Sequence, residues 1–278
     1  MKSQSAMEYL MTYGWAILII AVVLSVLFQL GVFSSGNFQP HAQAGACQVS
    51  RTAAGVSLEG QCNGLLPQYV GQFSGSGYVT ATSSTLATSP GSYDTVSFWM
   101  YWTGQTNGMP FGFDAYDLWL SSSTCFGFNT GNGDAYGVNP SPYLNKWTHI
   151  VAVFYNGAYT GNNMIYINGV SQTLSQCSGG ANNGAVTTNL AIGSWRIMVS
   201  NIYTGDLANV QVYNTTLSQT EVTALYDEGI GGAPIRPQNL AGWWPLNGNA
   251  NDYSGNNNNS QLNNVQFSSS WESGYTAP

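Results

Sequence analysis

The sequence is poor in charge, and positive charge is especially scarce. Asp, Glu, Lys and Arg make up 6% of its 278 residues, against roughly 25% in ordinary soluble domains. The cations are Lys2, Arg51, Lys146, Arg196 and Arg236, and the formal net charge is -7. Five scattered cations do not form the basic stripe that a phosphate backbone requires. We therefore expect no nucleic-acid partner.

The sequence also lacks the patterns of zinc sites and of common hydrolases. It has no C-x-x-C pair, and His41 and His149 stand outside any Cys/His ligand spacing. A retaining glycosidase needs two carboxyl groups about 5–5.5 Å apart. Asp114 and Asp117 are the nearest pair, and on an extended strand they would lie on opposite faces. We therefore predict that the protein is not an enzyme.

A long apolar run stands near the N-terminus. Residues 9–50 contain no Asp, Glu, Lys or Arg, and residues 10–33 are almost all apolar. About 20 such residues suffice to span a bilayer, which predicts a hydrophobic transmembrane or filament-core helix over 4–33. A cleaved secretory signal is the alternative, because residues 42–44 read Ala-Gln-Ala, but its apolar region usually has about 7–15 residues.

The residues around the start of this run, MKSQSAMEYL followed by MTYGWAI, resemble the class III signal peptide of archaeal type IV pilins. The resemblance implies that a prepilin peptidase cuts between Ser3 and Gln4, which would make Glu8 the fifth mature residue, where type IV pilins have their glutamate. A carboxylate at the edge of a hydrocarbon phase needs a partner. The new α-amine of Gln4 on a neighbouring subunit would supply it during assembly. The alternative is that Glu8 lies at the polar interface of a single-pass anchor.

Strand patterns begin at Cys47, after a polar linker over 34–46. Four ranges have the apolar patterns of strands: 96–102, 150–154, 164–167 and 207–213. Asn168-Gly169 is the strongest hairpin signal, because both residues accept positive φ. Ser218 and Glu221 form a capping box that opens a short helix. One short helix among many strands predicts an all-β sandwich.

Five segments in order resemble the laminin-G-like, concanavalin A-like jelly-roll family: 73–79, 96–99, 147–152, 165–169 and 205–218. The segment 239–256 resembles the opening strand of the family but comes last, which implies a jelly-roll sandwich with that strand permuted to the C-terminus. We expect it to pair beside 207–213, because consecutive strands are usually neighbours. Addition to the sheet of another subunit is the alternative. The predicted organisation is a leader over 1–3, a helix over 4–33, a linker over 34–46 and one domain over 47–278.

Four cysteines permit three disulfide pairings. For an exported domain we favour Cys47–Cys62 and Cys125–Cys177, since each pair would staple one region. Four buried free thiols are the alternative.

Two further kinds of site are predicted. Asn214 and Asn258 begin glycosylation sequons. The family resemblance raises calcium as a ligand, with Asp206 and Asp252 as candidate oxygen donors. For Asp252, an Asx-turn with its own backbone is an equal alternative. No cofactor is required by any other pattern.

These observations predict a structural subunit of a type IV pilus-like filament at the cell surface, with its helix in the filament core and its sandwich outside. Its partners would be its own copies, a prepilin peptidase and the pilus assembly machinery, with the membrane holding the helix before assembly. The alternative is a membrane-tethered, lectin-like protein that binds carbohydrate and does not polymerise. Among the aromatic residues, Trp119, Trp195 and Tyr203 fall in loop-like stretches and are the candidates for an exposed sugar-binding patch, against the alternative of core packing.

Overall fold

The structure is a computed structural model that describes residues 6–29, 40–180, 182–196, 199–258 and 260–278. It divides into two compact units, Met1–Pro40 and His41–Pro278. The second unit begins within the predicted linker 34–46, because residues 41–42 already pair with the rest of the domain.

The first unit contains helix α1 (Ala6–Gln29), whose described apolar side chains are exposed except for the half-buried Leu27. Of the predicted helix over 4–33, the structure describes residues 6–29. Within the described part of the chain, no helix has the length and apolarity needed to cross a membrane. The prediction of a long hydrophobic membrane-spanning helix is therefore corrected.

The second unit is built from strands. In chain order they are β1 (His41–Ala42), β2 (Cys47–Thr52), β3 (Gly55–Gly60), β4 (Leu66–Pro67), β5 (Val70–Ser74), β6 (Tyr78–Thr82), β7 (Tyr93–Trp102), β8 (Gly108–Phe113), β9 (Asp117–Ser122), β10 (Cys125–Asn129), β11 (Ala135–Val138), β12 (Trp147–Tyr155), β13 (Gly157–Ala158), β14 (Met164–Ile167), β15 (Val170–Ser171), β16 (Ser175–Ser178), β17 (Asn183–Gly184), β18 (Asn189–Ile192), β19 (Thr204–Tyr213), β20 (Leu240–Trp244), β21 (Ser260–Asn263) and β22 (Gln266–Ser268). Helix α2 (Gln219–Asp227) follows β19, and two short 3-10 turns cover Ser141–Tyr143 and Pro237–Asn239.

Two large sheets face each other. The front sheet has the order β16-β11-β10-β9-β8-β18-β6-β21, and the back sheet has the order β15-β14-β12-β7-β19-β5-β22, with β20 also paired to β19. All strand pairs within them are antiparallel, for example β7–β12 and β8–β9. The all-β sandwich expected from the sequence is confirmed.

The core between the sheets is rich in aromatic side chains. Phe154 of the back sheet makes edge-to-face contacts with Phe113, Tyr116 and Phe128 of the front sheet and its turn, at ring-centroid distances of 4.9–5.2 Å. Such pairs stabilise by about 0.5–1.5 kcal/mol beyond the burial of their area. This network fixes the front sheet against the back sheet.

The outer face of the back sheet is covered in turn. Val222 and Leu225 of α2 are buried there, and the predicted capping box opens this helix, with the Ser218 amide donating to Glu221 at 2.8 Å. Further along, Trp271 packs on the sheet and its indole donates to the Pro67 carbonyl. Strands β7 and β12 are therefore buried on both faces, as their apolar patterns predict.

The C-terminal segment completes both sheets. Strand β20 pairs antiparallel with β19, Trp244 opposite Val210, which is the internal pairing that the sequence analysis favours. Strand β21 adds to β6 at the edge of the front sheet, and β22 adds to β5 at the edge of the back sheet. The predicted hairpin at Asn168-Gly169 joins β14 and β15, with φ of 50° and 77° at these two residues.

Two disulfides are present, and they are the pairs that the sequence analysis favours. Cys47–Cys62 joins the ends of the β2–β3 hairpin. Cys125–Cys177 joins β10 to β16 across the intervening strand β11. The second bond therefore ties down the β16 edge of the front sheet.

Candidate functional site

The outer face of the front sheet is the open face of the sandwich. Side chains alternate along a strand, and Leu118 and Leu120 of β9 point into the core. Asp117 and Trp119 therefore lie on the open face. The same alternation places Asn129 there, because its neighbour Phe128 is a core residue.

A cleft of about 150 Å³ lies on this face. We call it the tryptophan cleft, and it is lined by Met109, Trp119, Asn129, Gly131, Gly133, Trp195 and Asn201. Its volume is below the roughly 300–1,000 Å³ of pockets for drug-sized ligands. Both indoles are half-buried, so each keeps part of its surface available. The cleft combines two aromatic surfaces with amide groups at a size that suits one small ring.

The position of Trp119 is fixed by a loop asparagine. The side-chain oxygen of Asn107 accepts from the Trp119 indole nitrogen at 3.1 Å and from the Asn201 amide at 2.7 Å. Asn107 has φ of 63°, a left-handed conformation that asparagine adopts more readily than most residues. One residue thus connects an aromatic wall of the cleft to one of its amides.

Trp195 is held from the other side. Its indole nitrogen donates to the carbonyl of Asp114 at 3.0 Å, and its backbone amide donates to the carbonyl of Ser200 at 2.8 Å. Nearby, Val199 has φ of 47° and Asn201 has φ of 52°. Positive φ at a β-branched residue costs of order 1–3 kcal/mol and is concentrated at ligand sites. The strained backbone at Val199 destabilises this loop, and strain of this kind favours a role of the loop in ligand binding.

Tyr203 does not belong to the exposed aromatic patch. It is fully buried, its hydroxyl donates to the carbonyl of Tyr101 at 2.6 Å, and its ring packs edge-on against Phe73. Of the two alternatives given for Tyr203, core packing is the one found, because residues 202–203 turn back toward the core before β19 begins. Trp119 and Trp195, the other two residues of that prediction, do meet in one cleft.

A buried carboxylate lies beside the cleft. Asp117 is 0% exposed, and neither of its oxygens has a hydrogen-bond partner among the described residues. Burial raises the pKa of Asp117 well above its usual value; the nearby Asn129 amide opposes this rise without reaching hydrogen-bond geometry, and the charge of Asp114 adds to it. Asp117 is therefore an inaccessible acid whose neutral form is favoured by burial.

Asp114 and Asp117 would lie on opposite faces of an extended strand, but the structure does not place both in one strand. They flank the tight turn between β8 and β9, in which the Phe113 amide donates to the Tyr116 carbonyl at 3.0 Å, so residue 114 is not in an extended strand. Asp114 accepts from the Asn189 amide at 3.1 Å. Although the two acids are neighbours, the burial of Asp117 keeps it from contacting a substrate.

A second cleft, the polar cleft, lies on the same open face. It has a volume of about 410 Å³ and is lined by Thr80, Ala81, Thr82, Ser84, Arg196, Asn256, Asn257, Asn258 and Gln261. Its threonines alternate with the core residues Val79 and Ala81, which places them on the outer side of β6. Consecutive residues, Trp195 and Arg196, thus line one cleft each.

The predicted processing and assembly residues are not placed. Ser3 and Gln4 lie outside the described residues, and so does the side chain of Glu8. Their roles stay predictions.

The two candidate calcium ligands lie in different settings. Asp252 accepts from the amides of Trp243, Ser254 and Asn258 and from the Ser254 hydroxyl, at 2.9–3.0 Å, so its carboxylate stabilises a turn. Asp206 lies within β19, where burial raises its pKa to about 6. In the described ranges, no three His, Cys, Asp or Glu residues are grouped as metal ligands would be. Calcium binding stays a prediction.

Both sequon asparagines are engaged in hydrogen bonds. The Asn214 side-chain nitrogen donates to the Thr85 carbonyl at 2.9 Å, and that of Asn258 donates to the Ala241 carbonyl at 2.8 Å. An attached glycan replaces one of the two hydrogens of the side-chain nitrogen, so the remaining N–H would have to keep the bond. Their glycosylation stays a prediction.

Sequence reasoning missed three features of the clefts: the role of Asn107, the amide of Asn201 and the position of Arg196. The available signal was weak, namely polar residues in Asn- and Gly-rich stretches between strand patterns. It also missed the contact of Ser97 with His149 at 2.8 Å. Both residues are buried, and burial lowers the pKa of His149 to about 3, so this pair belongs to the packing under α2 and not to a site.

Comparison with solved structures supports the fold. A protein from Bacteroides ovatus, described as a candidate carbohydrate binding protein, matches with a TM-score of 0.53 and 14% identity over 79% of this chain, which spans 65% of that protein. A heptameric SAP-like pentraxin from Limulus polyphemus matches with a TM-score of 0.43 and 13% identity over 72% of this chain and 94% of its own. Domain 4 of the extracellular arabinanase AbnA from Geobacillus stearothermophilus matches with a TM-score of 0.39 and 15% identity over 67% of this chain and 84% of its own. At these identities the likeness concerns the fold alone.

Sequence comparison gives the family. No curated protein matches significantly. A family model described as the Concanavalin A-like lectin/glucanases superfamily matches residues 73–223, just over half of the chain. The match does not reach the N-terminal segment, so the resemblance to archaeal type IV pilins is not shown. With the jelly-roll sandwich described above, this match shows that the chain belongs to the concanavalin A-like lectin/glucanase superfamily.

Proposed function

We propose that the protein is a lectin-like domain that binds carbohydrate in the tryptophan cleft. The observation that carries this proposal is the convergence of Trp119 and Trp195, from distant parts of the chain, on one cleft that also presents the amides of Asn129 and Asn201. Binding, and not hydrolysis, is the activity that these groups support.

The chemistry of the cleft fits a sugar ring. Indoles offer large, rigid apolar surfaces, against which the C–H face of a sugar can pack. Amide side chains donate and accept hydrogen bonds, as sugar hydroxyls do. Sites that combine apolar walls with a few fixed polar groups obtain orientation and specificity from the polar groups. The anchoring of Trp119 by Asn107 lowers the entropic cost of binding, because the wall is already in place.

The family and the disulfides support the same proposal. The description of the superfamily names lectins as well as glucanases. The Bacteroides ovatus protein of the same fold is described as a candidate carbohydrate binding protein. Against hydrolysis, Asp117 is inaccessible and so cannot complete a carboxylate pair with Asp114. The two disulfides indicate an oxidising compartment, and we infer an extracellular location.

The test is binding to immobilised glycans by the wild type and by Trp119→Ala and Trp195→Ala. Each variant should lose about tenfold or more in affinity, since an aromatic contact of about 1.5 kcal/mol corresponds to such a factor. Val170→Ala, at an exposed position on the edge of the back sheet, is the control and should bind as wild type does. Thermal unfolding of all three variants checks the fold. If both tryptophan variants bind glycans as tightly as the wild type does, the proposal is contradicted.

A role as a filament subunit is a second prediction, carried by the leader-like residues MKSQSAMEYL alone. It requires cleavage between Ser3 and Gln4. N-terminal sequencing of the protein from producing cells tests it. A chain that begins at Gln4 supports the prediction, and an uncut chain that begins at Met1 contradicts it.

A further inference from the structure

We propose that the glycan is acidic, and that Arg196 in the polar cleft binds a carboxylate or sulfate group on it while its neighbouring ring lies in the tryptophan cleft. This inference rests on the proposed function, since it assigns the chemical class of the same ligand. It is carried by the position, the free state and the surroundings of Arg196.

The position of Arg196 links the two clefts. Trp195 lines the tryptophan cleft and Arg196 lines the polar cleft. Because consecutive Cα atoms are about 3.8 Å apart, the two side chains leave the backbone at adjacent positions on the open face. A ligand of more than one sugar unit can therefore contact both.

The other described cations are engaged elsewhere. Arg51 donates to the carbonyls of Ser254, Pro237 and Leu240 at 2.8–2.9 Å. Arg236 forms an ion pair with Glu221 at 3.3 Å, and Lys146 donates to the Pro142 carbonyl at 3.2 Å. These three cations therefore hold the fold together or lie on its surface.

Arg196 differs from them. It has no hydrogen bond or ion pair with any described residue, and its Nε atom is buried without a partner. A buried donor left unpaired costs about 1–3 kcal/mol. An oxygen of a bound ligand would remove that cost. The free state of Arg196 thus indicates a ligand that accepts hydrogen bonds.

The surroundings of Arg196 favour an anion. No Asp or Glu is among the residues that line the polar cleft, so no carboxylate of the protein competes for the guanidinium there. The side-chain amides of Asn257 and Gln261 also lack hydrogen-bond partners in the described part of the chain, and both residues are exposed. A guanidinium forms paired, charge-assisted hydrogen bonds with carboxylate and sulfate oxygens. In a chain of net charge -7, a local cation is what allows an anion to approach.

The experiment is a glycan array that carries neutral, uronic-acid and sulfated oligosaccharides, probed with the full chain and followed by titration calorimetry on the best ligand and its neutral counterpart. For a uronic acid, that counterpart is its methyl ester. We expect the acidic glycan to bind about tenfold more tightly, and this preference to weaken as salt is raised. The uronic-acid and sulfated arms show which anion is used.

Variants separate this inference from the proposed function. Arg196→Gln should lose the preference for the acidic glycan while affinity for the neutral one stays within about twofold. Arg236→Gln, which removes a cation outside both clefts, should keep the preference. Equal affinity of the wild type for the acidic glycan and its neutral counterpart, with binding that still depends on Trp119, would overturn the inference and leave the proposed function standing. Absence of binding to every glycan on the array would overturn both.

Discussion

The carboxylate of Asp117 occupies the space in which a side chain at Gly112 would lie. The two residues face each other across the β8–β9 pair, and an ideal Cβ on Gly112 would collide with Oδ1, Cγ and Cβ of Asp117. The absence of a side chain at residue 112 is therefore what allows a carboxylate to be buried on the open face next to the tryptophan cleft.

Replacing Gly112 with alanine should destabilise the domain. The added methyl group must displace a fully buried side chain, and overpacking of this kind costs typically 1–3 kcal/mol. Chemical unfolding followed by tryptophan fluorescence measures the change. Gly180→Ala is the matched control, because a Cβ there meets no atom within 4 Å and its φ is not positive. Equal stability of the two variants would contradict this account of Gly112.

Replacing Asn107 removes the hydrogen bond that positions the Trp119 indole while leaving Trp119 itself in the chain. Asn107→Gly tolerates the positive φ but removes the oxygen that binds the Trp119 indole and the Asn201 amide. We expect glycan affinity to fall about three- to tenfold, since one hydrogen bond contributes about 0.5–1.5 kcal/mol. Asn107→Asp keeps an acceptor oxygen and should retain most of the affinity. If both variants bind as tightly as wild type, the anchoring has no role in binding.

The stability of the domain should depend on pH through Asp94. This residue is 0% exposed and accepts one hydrogen bond, from the Ala87 amide at 2.9 Å; burial raises its pKa from 3.8 to about 7, against the smaller lowering effect of that bond. A carboxyl group with a raised pKa binds its proton more tightly in the folded state. Its contribution to stability is therefore complete below about pH 4 and is lost as the pH rises through about 7.

The variant Asp94→Asn tests this directly. Between pH 4 and pH 8, the free energy of unfolding of the wild type should fall by up to about 4 kcal/mol relative to that of the variant. This value follows because the pKa of Asp94 rises by about three units and each unit corresponds to 1.36 kcal/mol. Unfolding curves of both proteins across this range give the difference. Comparison with the variant removes the contribution of His149, whose lowered pKa acts in the opposite direction. A constant difference between the two proteins at all pH values would refute the assignment to Asp94.

The features that the sequence predicts well are local ones. The hairpin at Asn168-Gly169 and the capping box at Ser218 depend on residues within one turn of each other, and both are present. Strand patterns such as 150–154 are equally local, because burial on two faces requires an unbroken apolar run. The order of the five segments that resemble the concanavalin A-like family then predicts the sandwich. The last family-like segment, 239–256, pairs beside β19 as expected.

The parts of the site that could not be predicted depend on contacts between distant residues. Trp119 and Trp195 were candidates for exposure, but their meeting depends on the order of β9, β8 and β18 in one sheet. Tyr203, like Trp195, falls in a loop-like stretch of the sequence, yet it packs in the core against Phe73. The free state of Arg196 can be recognised only when the partners of the other cations are known.

The arrangement of β21 and β22 has a consequence for synthesis on the ribosome. These two strands close the edges of β6 and β5, which precede them by nearly the whole domain. A nascent chain therefore has β5 and β6 available early, yet their edges stay unpaired until the last strands emerge. Pairing across so long a sequence separation is slow, and open strand edges invite aggregation. The domain should accordingly reach its protected state only after β22 has left the ribosome tunnel.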